Sequence, residues 1–279
     1  MLEWTVESPM FVKGSLVAVV AAPGGSISGQ LCVFDVAQRL HHRIFMMGVQ
    51  RFLSTAVMIG GHSSPGHSDA DLLGEATRDR VRIWCMRHAE SENVIAGVSG
   101  SVPTAPLSPR GHRQADAAAQ LLTSEPINAI YSSTALRARQ TASHLARRLR
   151  NCQIATSSEL TEVHIGSHDG AKASTTGRQV ADVLRAWIVE GQLERRVFDG
   201  ETGQQVLDRM TTALNSISKT HGDETVALVG HVASLSVATG SLCNIGAQIW
   251  GNPLPHGQPF LIEWDGHAWH CPAWPGAQE

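Results

Sequence analysis

The sequence predicts an α/β protein, a three-layer sandwich built around a mainly parallel sheet. Three observations carry this. Short, mostly apolar runs at Val81–Met86, Ile127–Tyr131 and Thr225–Val229 read as buried strands, and Cys152–Thr156 as a further short strand. Helical patterns separate these runs, and strands alternating with helices give a parallel sheet covered on both sides. Two of the runs end on a histidine, Met86 into Arg87-His88 and Val229 into Gly230-His231. Open parallel sheets bind ligands at the carboxyl ends of their strands, where these histidines fall.

Composition narrows the function classes. The 279 residues suffice for one large domain, or for one domain with an appendage. A formal net charge of −3 gives no case for nucleic acid as a partner. The five cysteines, at 32, 85, 152, 243 and 271, are scattered and form no CxxC pair. That argues for a reducing compartment and against a disulfide frame or a zinc site. The 14 histidines show no HExxH or HxH spacing. The apolar run Leu16–Ala22 is far too short to span a membrane, and Glu3 and Glu7 before it do not suit a signal peptide. The chain therefore reads as cytoplasmic, with no membrane partner.

Taken in order, residues 1–79 are the least regular part. Ser15–Val20 and Gln30–Val36 read as strands joined by a loop at Pro23-Gly24-Gly25-Ser26, and Val36–Val49 as a helix. Gly60–Asp71 has the composition of a linker. A small accessory domain is one reading of 1–79. The preferred one is an N-terminal extension, poorly ordered or lying ahead of a true start at Met58, with one domain over 80–279. From Val81 the pattern is regular. Ser108 caps a helix that opens on Pro109 and runs to about Thr123. After the Ile127 strand, Ser132-Ser133 are read as the cap of a helix over Thr134–Leu149, with Ala138, Ala142, Leu145 and Leu149 inward and Arg147, Arg148 and Arg150 solvated. Further helices are read at Gly177–Glu190, Glu201–Ser218 (Val206, Met210, Leu214 and Ile217 inward) and Ala233–Leu242. Asp265-Gly266 marks a hairpin between Pro259–Trp264 and Ala268–His270.

The chemistry gathers at one sheet edge. Adjacent parallel strands would bring His88 and His231 together there. Arg87 offers a planar fork of donors and a permanent charge suited to phosphate. Arg137, in the first turn of the helix after the second strand, points at the same edge. Glu162 lies in the loop after the third strand. Two arginines, two histidines and one carboxylate make an anion pocket with an acid beside it. It holds no carboxylate cluster for a hard cation, so neither a metal nor a cofactor is expected.

The motifs that hold these residues resemble the histidine phosphatase superfamily, the phosphoglycerate mutase-like fold. Its Arg-His-Gly is Arg87-His88-Ala89 here. Its Leu-Ser/Thr-x-x-Gly-x-x-Gln-Ala is Leu107 to Ala115. Its Ser-Ser-x-x-x-Arg-Ala-x-x-Thr-Ala is Ser132 to Ala142. Leu160, Glu162, Gly166 and Gly170 match the next segment, Gly200-Glu201 the one after, and His231 the second histidine. The motifs stand in family order across about 81–271. Departures occur: Ala89 for Gly, Val232-Ala233 after His231, His168 where small-molecule phosphatases often have Trp. The family's asparagine falls on Val94 by count, so Asn93, one place early, is the candidate substrate-binding residue.

The resemblance implies that His88 attacks phosphorus, that Arg87, Arg137 and His231 hold the phosphoryl oxygens, and that Glu162 gives a proton to the leaving oxygen and then activates water. It implies a small phosphorylated substrate and a monomer or homodimer. The stretch between Glu162 and Glu201 covers the pocket in this family. Lys172, Arg178, Arg185, Arg195 and Arg196 in it could meet a second anionic group or form a solvated face. The leading reading is a phosphomonoesterase. A phosphoglycerate-mutase-like phosphotransferase, a protein phosphohistidine phosphatase and a non-catalytic phospho-ligand binder stand behind it.

Overall fold

The computed structural model describes residues 80–149 and 152–275, together with the backbone of three strands nearer the N-terminus. The chain divides into two compact units, 1–67 and 68–279. In the first, β1 (Thr5–Val12), β2 (Ser15–Ala21) and β3 (Leu31–Asp35) form an antiparallel sheet in that order. The strands expected at 15–20 and 30–36 are β2 and β3. The reading of the sequence has no counterpart of β1, whose run contains Pro9. Proline demotes a strand to an edge or a bulge. Here it has both: β1 is an edge strand, and its register with β2 shifts between Glu7 and Met10. The expected helix at 36–49 and the linker at 60–71 lie outside the described residues.

The second unit holds a six-stranded sheet. Its strands are β4 (Val81–Arg87), β5 (Ile127–Ser133), β6 (Ile154–Ser157), β7 (Thr225–Gly230), β8 (Phe260–Trp264) and β9 (Trp269–His270). The order is β6-β5-β7-β4-β8-β9. The first four are parallel, and β8 and β9 add an antiparallel end. The turn between β8 and β9 uses Gly266 at φ +98. Asp265 Oδ1 accepts the N–H groups of His267 and Ala268, both at 2.8 Å.

Among the described residues, the α-helices of this unit are α1 (Glu92–Ile95), α2 (Pro109–Leu121), α3 (Leu136–Arg148), α4 (Ala173–Ile188), α5 (Gly203–Thr220), α6 (Val232–Leu242) and α7 (Gly246–Ile249). Alternation along the strands sorts them into layers. Val226 and Leu228 of β7 face a core closed by Val183, Trp187, Val206, Met210, Leu214 and Leu235, from α4, α5 and α6. Ala227 and Val229 face the other core, closed by Ala118, Ala119, Ala138, Ala142 and Leu145, from α2 and α3. The three-layer sandwich is therefore as expected. Among the described residues, no helix is long and apolar enough to cross a membrane.

Three helix starts differ from expectation, α5 by opening at Gly203 behind a Thr202 cap and not at Glu201. Helix α3 opens on Ala135, which makes no side-chain cap, and Ser133 only accepts the Ala135 N–H at 3.3 Å. The strand runs through Ser133, so both serines are still extended. Helix α4 starts four residues before Gly177. Glycine in a helix costs only about 1 kcal/mol, and Thr176, buried beside it, bonds back to Lys172 O at 3.3 Å.

Candidate active site

The register of β4 against β7 sets the centre of the site. Arg87 stands opposite Gly230, so His88 and His231 leave the sheet side by side. The His88 N–H donates to Gly230 O at 3.0 Å, and the two rings meet edge to face with centroids 5.1 Å apart. Both are buried, His88 to 3% exposure and His231 completely.

Contacts fix the tautomers. His88 Nδ1 lies 2.7 Å from Ala89 O, and a carbonyl can only accept, so Nδ1 carries the proton. Nε2 then holds a free lone pair, which accepts from Arg137 Nε at 3.0 Å. His231 Nδ1 faces Arg137 Nη2 at 3.3 Å, and its Nε2–H donates to Ser133 Oγ at 2.8 Å. Burial pushes the His88 pKa well below 6.5, with His231 and Arg137 adding to it. Burial, Arg137, Arg209 and Arg87 do the same to His231. Both rings are neutral at pH 7.

Arg137, the second residue of α3, is 2% exposed, whereas Arg139 is on the surface. Besides the histidines it donates to Val102 O at 2.6 Å and Ser101 O at 2.9 Å. Burial lowers its pKa, against an opposing pull from Glu162. Arg87 donates Nη1–H to Leu254 O at 3.1 Å, and its buried Nε–H has no partner among the described residues. Burial holds its pKa down to about 10, with Glu162 opposing. At neutral pH it remains charged, an uncommitted donor beside the nucleophile.

Glu162 reaches the N-terminus of α6. Its Oε1 accepts from Val163 N at 2.9 Å and Ser234 N at 3.0 Å, and its Oε2 from Ala233 N at 3.3 Å. Both lone pairs of Oε1 are used, while Oε2 keeps one for a proton. A cavity of about 230 Å³ lies in front, bordered by Arg87, His88, Asn93, Arg137 and Glu162. The structure thus brings five of the six expected residues to one cavity. His231 stands behind Arg137 and does not border it. Its Nδ1 meets the Arg137 guanidinium at 3.3 Å. Asn93 borders the cavity, but its amide is tied into its own turn, accepting from Ser91 Oγ at 2.7 Å and donating to Val98 O at 3.3 Å.

The other motif residues fasten the loop after β4. Thr141 Oγ1 accepts from Ala89 N at 3.1 Å, and Gln114 Oε1 from Glu90 N at 2.8 Å. Ser108 Oγ caps Gly111 N and donates to Glu90 Oε1, at 2.9 and 2.8 Å. A Cβ on Gly111 would sit 1.9 Å from Glu90 O, so only glycine fits there. Of the two loop histidines, His164 pairs with Asp169 at 3.0 Å and His168 stacks on Phe198.

Two residues at the site escape the sequence reading. Arg209, in α5, forms a fork with Glu201 at 2.8 and 3.1 Å. Its other N–H groups go to the carbonyls of Glu159 (2.8 Å), Thr161 (2.8 Å) and Glu162 (3.4 Å). Glu201 also accepts from His164 N at 2.8 Å. This clamp holds the backbone that carries Glu162. A signal was present: Arg209 lies three residues from Val206 and one from Met210, on the buried stripe of its helix, where a charge requires a partner. His256 donates Nδ1–H to His88 O at 3.0 Å, and its ring lies 5.6 Å from that of His88. Nothing in the sequence marked it.

Comparison with known proteins agrees with this geometry. The chain is 28% identical to phosphoserine phosphatase 1 of Hydrogenobacter thermophilus over 56% of its length and 72% of that protein's. It is 29% identical to a probable phosphoglycerate mutase of Proteus mirabilis, over 60% of this chain and 77% of the other. In structure it superposes on YhfR of Bacillus stearothermophilus with a TM-score of 0.59 at 24% identity, covering 69% of this chain and 95% of that one. Residues 83–275 match the sequence model of the histidine phosphatase superfamily, branch 1. The chain belongs to that superfamily, with a phosphoglycerate mutase-like fold.

Proposed function

We propose that the chain is a metal-independent phosphatase that hydrolyses a small phosphorylated metabolite through a phosphohistidine on His88. The observation that carries this is the His88 tautomer. Its Nδ1–H is held by Ala89 O, so the Nε2 lone pair is available in a ring that stays neutral at pH 7.

On substrate entry a phosphoryl oxygen replaces Nε2 as the acceptor of the Arg137 Nε–H, and Arg87 Nε–H finds its partner in another. Nε2 then forms a bond to phosphorus as the ester P–O bond breaks. Glu162 gives the proton on Oε2 to the departing oxygen. The Nδ1–H bond to Ala89 O spreads the positive charge that the ring acquires. In the second step water attacks phosphorus, Glu162 takes a proton from it, and the electron pair of the P–N bond returns to Nε2. The two arginines neutralise the equatorial oxygens throughout, and His231 and the 101–102 carbonyls orient Arg137 for this.

The reading places catalysis in residues 80–279 and sets the protein in the cytoplasm. The latter is supported by the free thiols of Cys85, Cys152, Cys243 and Cys271. A phosphotransferase is the second reading, favoured by the relative named as a probable mutase. The test is release of phosphate from p-nitrophenyl phosphate with rapid quenching. The wild type should yield an acid-labile, base-stable phosphoenzyme and His88→Ala neither phosphoenzyme nor turnover. Turnover surviving in His88→Ala overturns the reading, and transfer that depends on a bisphosphate primer favours the mutase.

A further inference from the structure

The walls of the cavity around His88 say what the rest of the substrate looks like. Beyond the catalytic groups they carry one apolar face, Val94 from α1 and Val98 just after it, Val163 and Ile165 after Glu162, and Val180 and Leu184 from α4, with Asn93 and Ser99 as the uncharged polar members. Ile95, next to Val94, is 60% exposed. Asn93, a polar side chain in the wall, has its carbonyl and an N–H engaged by Ser91 and Val98.

Among the described residues, no spare cation is found near. Lys172, from the covering stretch, is spent on Ala96 O at 2.9 Å. Arg185 pairs with Glu190, and Arg196 bonds Gly200 O. Arg178 and Arg195 are exposed. None of the five borders this cavity or the adjoining one of about 390 Å³, which shares Glu162. The adjoining cavity has a single bordering cation, Arg209, and five contacts engage its guanidinium, against Glu201 and three carbonyls. Glu201 also borders it and neutralises Arg209. The positive charge of the site therefore belongs to Arg87 and Arg137, and the phosphoryl group uses both.

Resting on the phosphatase reading, we infer that the substrate is the phosphomonoester of a small uncharged alcohol, whose carbon chain lies against Val94, Val98, Val180 and Leu184. An alcohol carrying a carboxylate near the ester would set that charge against a half-buried apolar wall with no cation to meet it. A cavity of about 230 Å³ suits a short carbon chain.

The test uses the full chain and matched substrates: n-butyl phosphate against 4-phosphonooxybutanoate, with p-nitrophenyl phosphate as the reference. The expected kcat/KM favours butyl phosphate by about tenfold or more. A smaller ratio, or preference for the carboxylate, overturns the inference while leaving the phosphatase reading intact. Failure to hydrolyse any of the three, p-nitrophenyl phosphate included, overturns the phosphatase reading instead. Val180→Lys, on the cavity side of α4, supplies the missing cation. It should move the ratio toward the carboxylate by about tenfold, and an unmoved ratio in a folded, active variant also counts against the inference.

Discussion

Substituting Glu162 by Gln separates chemistry from architecture, because the structure assigns its two oxygens different tasks. Oε1, with bonds at 2.9 and 3.0 Å, is replaced without loss by the amide oxygen. The amide nitrogen then takes the place of Oε2 and sets a donor against the Ala233 N–H, now 3.3 Å from an acceptor. Leaving that buried N–H unpaired costs about 1–3 kcal/mol. For a domain of this size, each kcal/mol lowers Tm by about 2–4 °C. The variant should therefore fold, with Tm down by roughly 2–12 °C. The kinetic loss should depend on the leaving group. An alkyl phosphate needs the proton, and its phosphorylation step should slow by about 10²–10⁴-fold. p-Nitrophenolate leaves unaided, so its phosphorylation should slow less than about tenfold. The second step still lacks its base, so p-nitrophenyl phosphate should give a burst of p-nitrophenolate followed by slow turnover. Rapid quenching measures both steps. Equal slowing of phosphorylation for the two substrates would falsify the assignment of Glu162 as acid, and His164 at the rim of the adjoining cavity would be the next residue to try.

Four further outcomes are expected. Arg209→Met breaks an ion pair whose partners are 13% and 20% exposed, and should destabilise the domain by about 3–5 kcal/mol. Its kcat for alkyl phosphates should fall by up to about 10²-fold through displacement of Glu162, more than for p-nitrophenyl phosphate; identical losses would leave Arg209 a purely structural residue. Stability should decline on acidification: His88 and His231 are neutral when folded and take up protons near pH 6.5 when unfolded, so their contribution is complete above 6.5 and is lost as pH falls toward their depressed folded values. Urea midpoints should follow this with a slope of at most about 2.7 kcal/mol per pH unit from the two groups, and a flat profile below 6.5 would contradict their neutral burial. A chain starting at Ala76 should fold and keep its turnover, and EDTA should leave activity unchanged; insoluble protein in the first case, or a loss restored by a divalent ion in the second, would count against these expectations.

The parts of the site legible in the sequence share a property. Val226–Val229 is a fully buried strand because it is continuously apolar, Val81–Met86 is apolar apart from a half-exposed Arg82, and the residue type at their ends then states its own chemistry. Arg87, His88 and His231 could be read because a strand end needs only its own sequence to be located. Arg137 could be read because it follows a strand by a fixed step into a helix. Asn93 shows the limit: residue type placed it at the cavity, but not where its amide would be spent. Pro9 shows another. It argues against a strand by propensity, and only the pairing with β2 displays the edge and bulge that accommodate it.

Arg209 and His256 could not be located in this way, for a reason set by what they bind. Arg209 grips the carbonyls of Glu159, Thr161 and Glu162, and His256 grips that of His88. A backbone carbonyl is the same at every residue, so neither contact leaves a complementary side chain elsewhere in the sequence. Glu201, the one side-chain partner of Arg209, lies eight residues before it and could be matched, but the pair alone would read as a surface ion pair. Its function depends on what the remaining three N–H groups of the guanidinium reach. The same holds for the Nδ1–H of His88, whose acceptor is the next residue's own carbonyl. The residues proposed to touch phosphate are therefore marked by type, whereas those that aim them show their role only through what they contact in the fold, even where, as at Arg209, a buried charge flags the position. Substitutions at Arg209 and His256 should act on kcat through geometry, with the nucleophile and the acid still present.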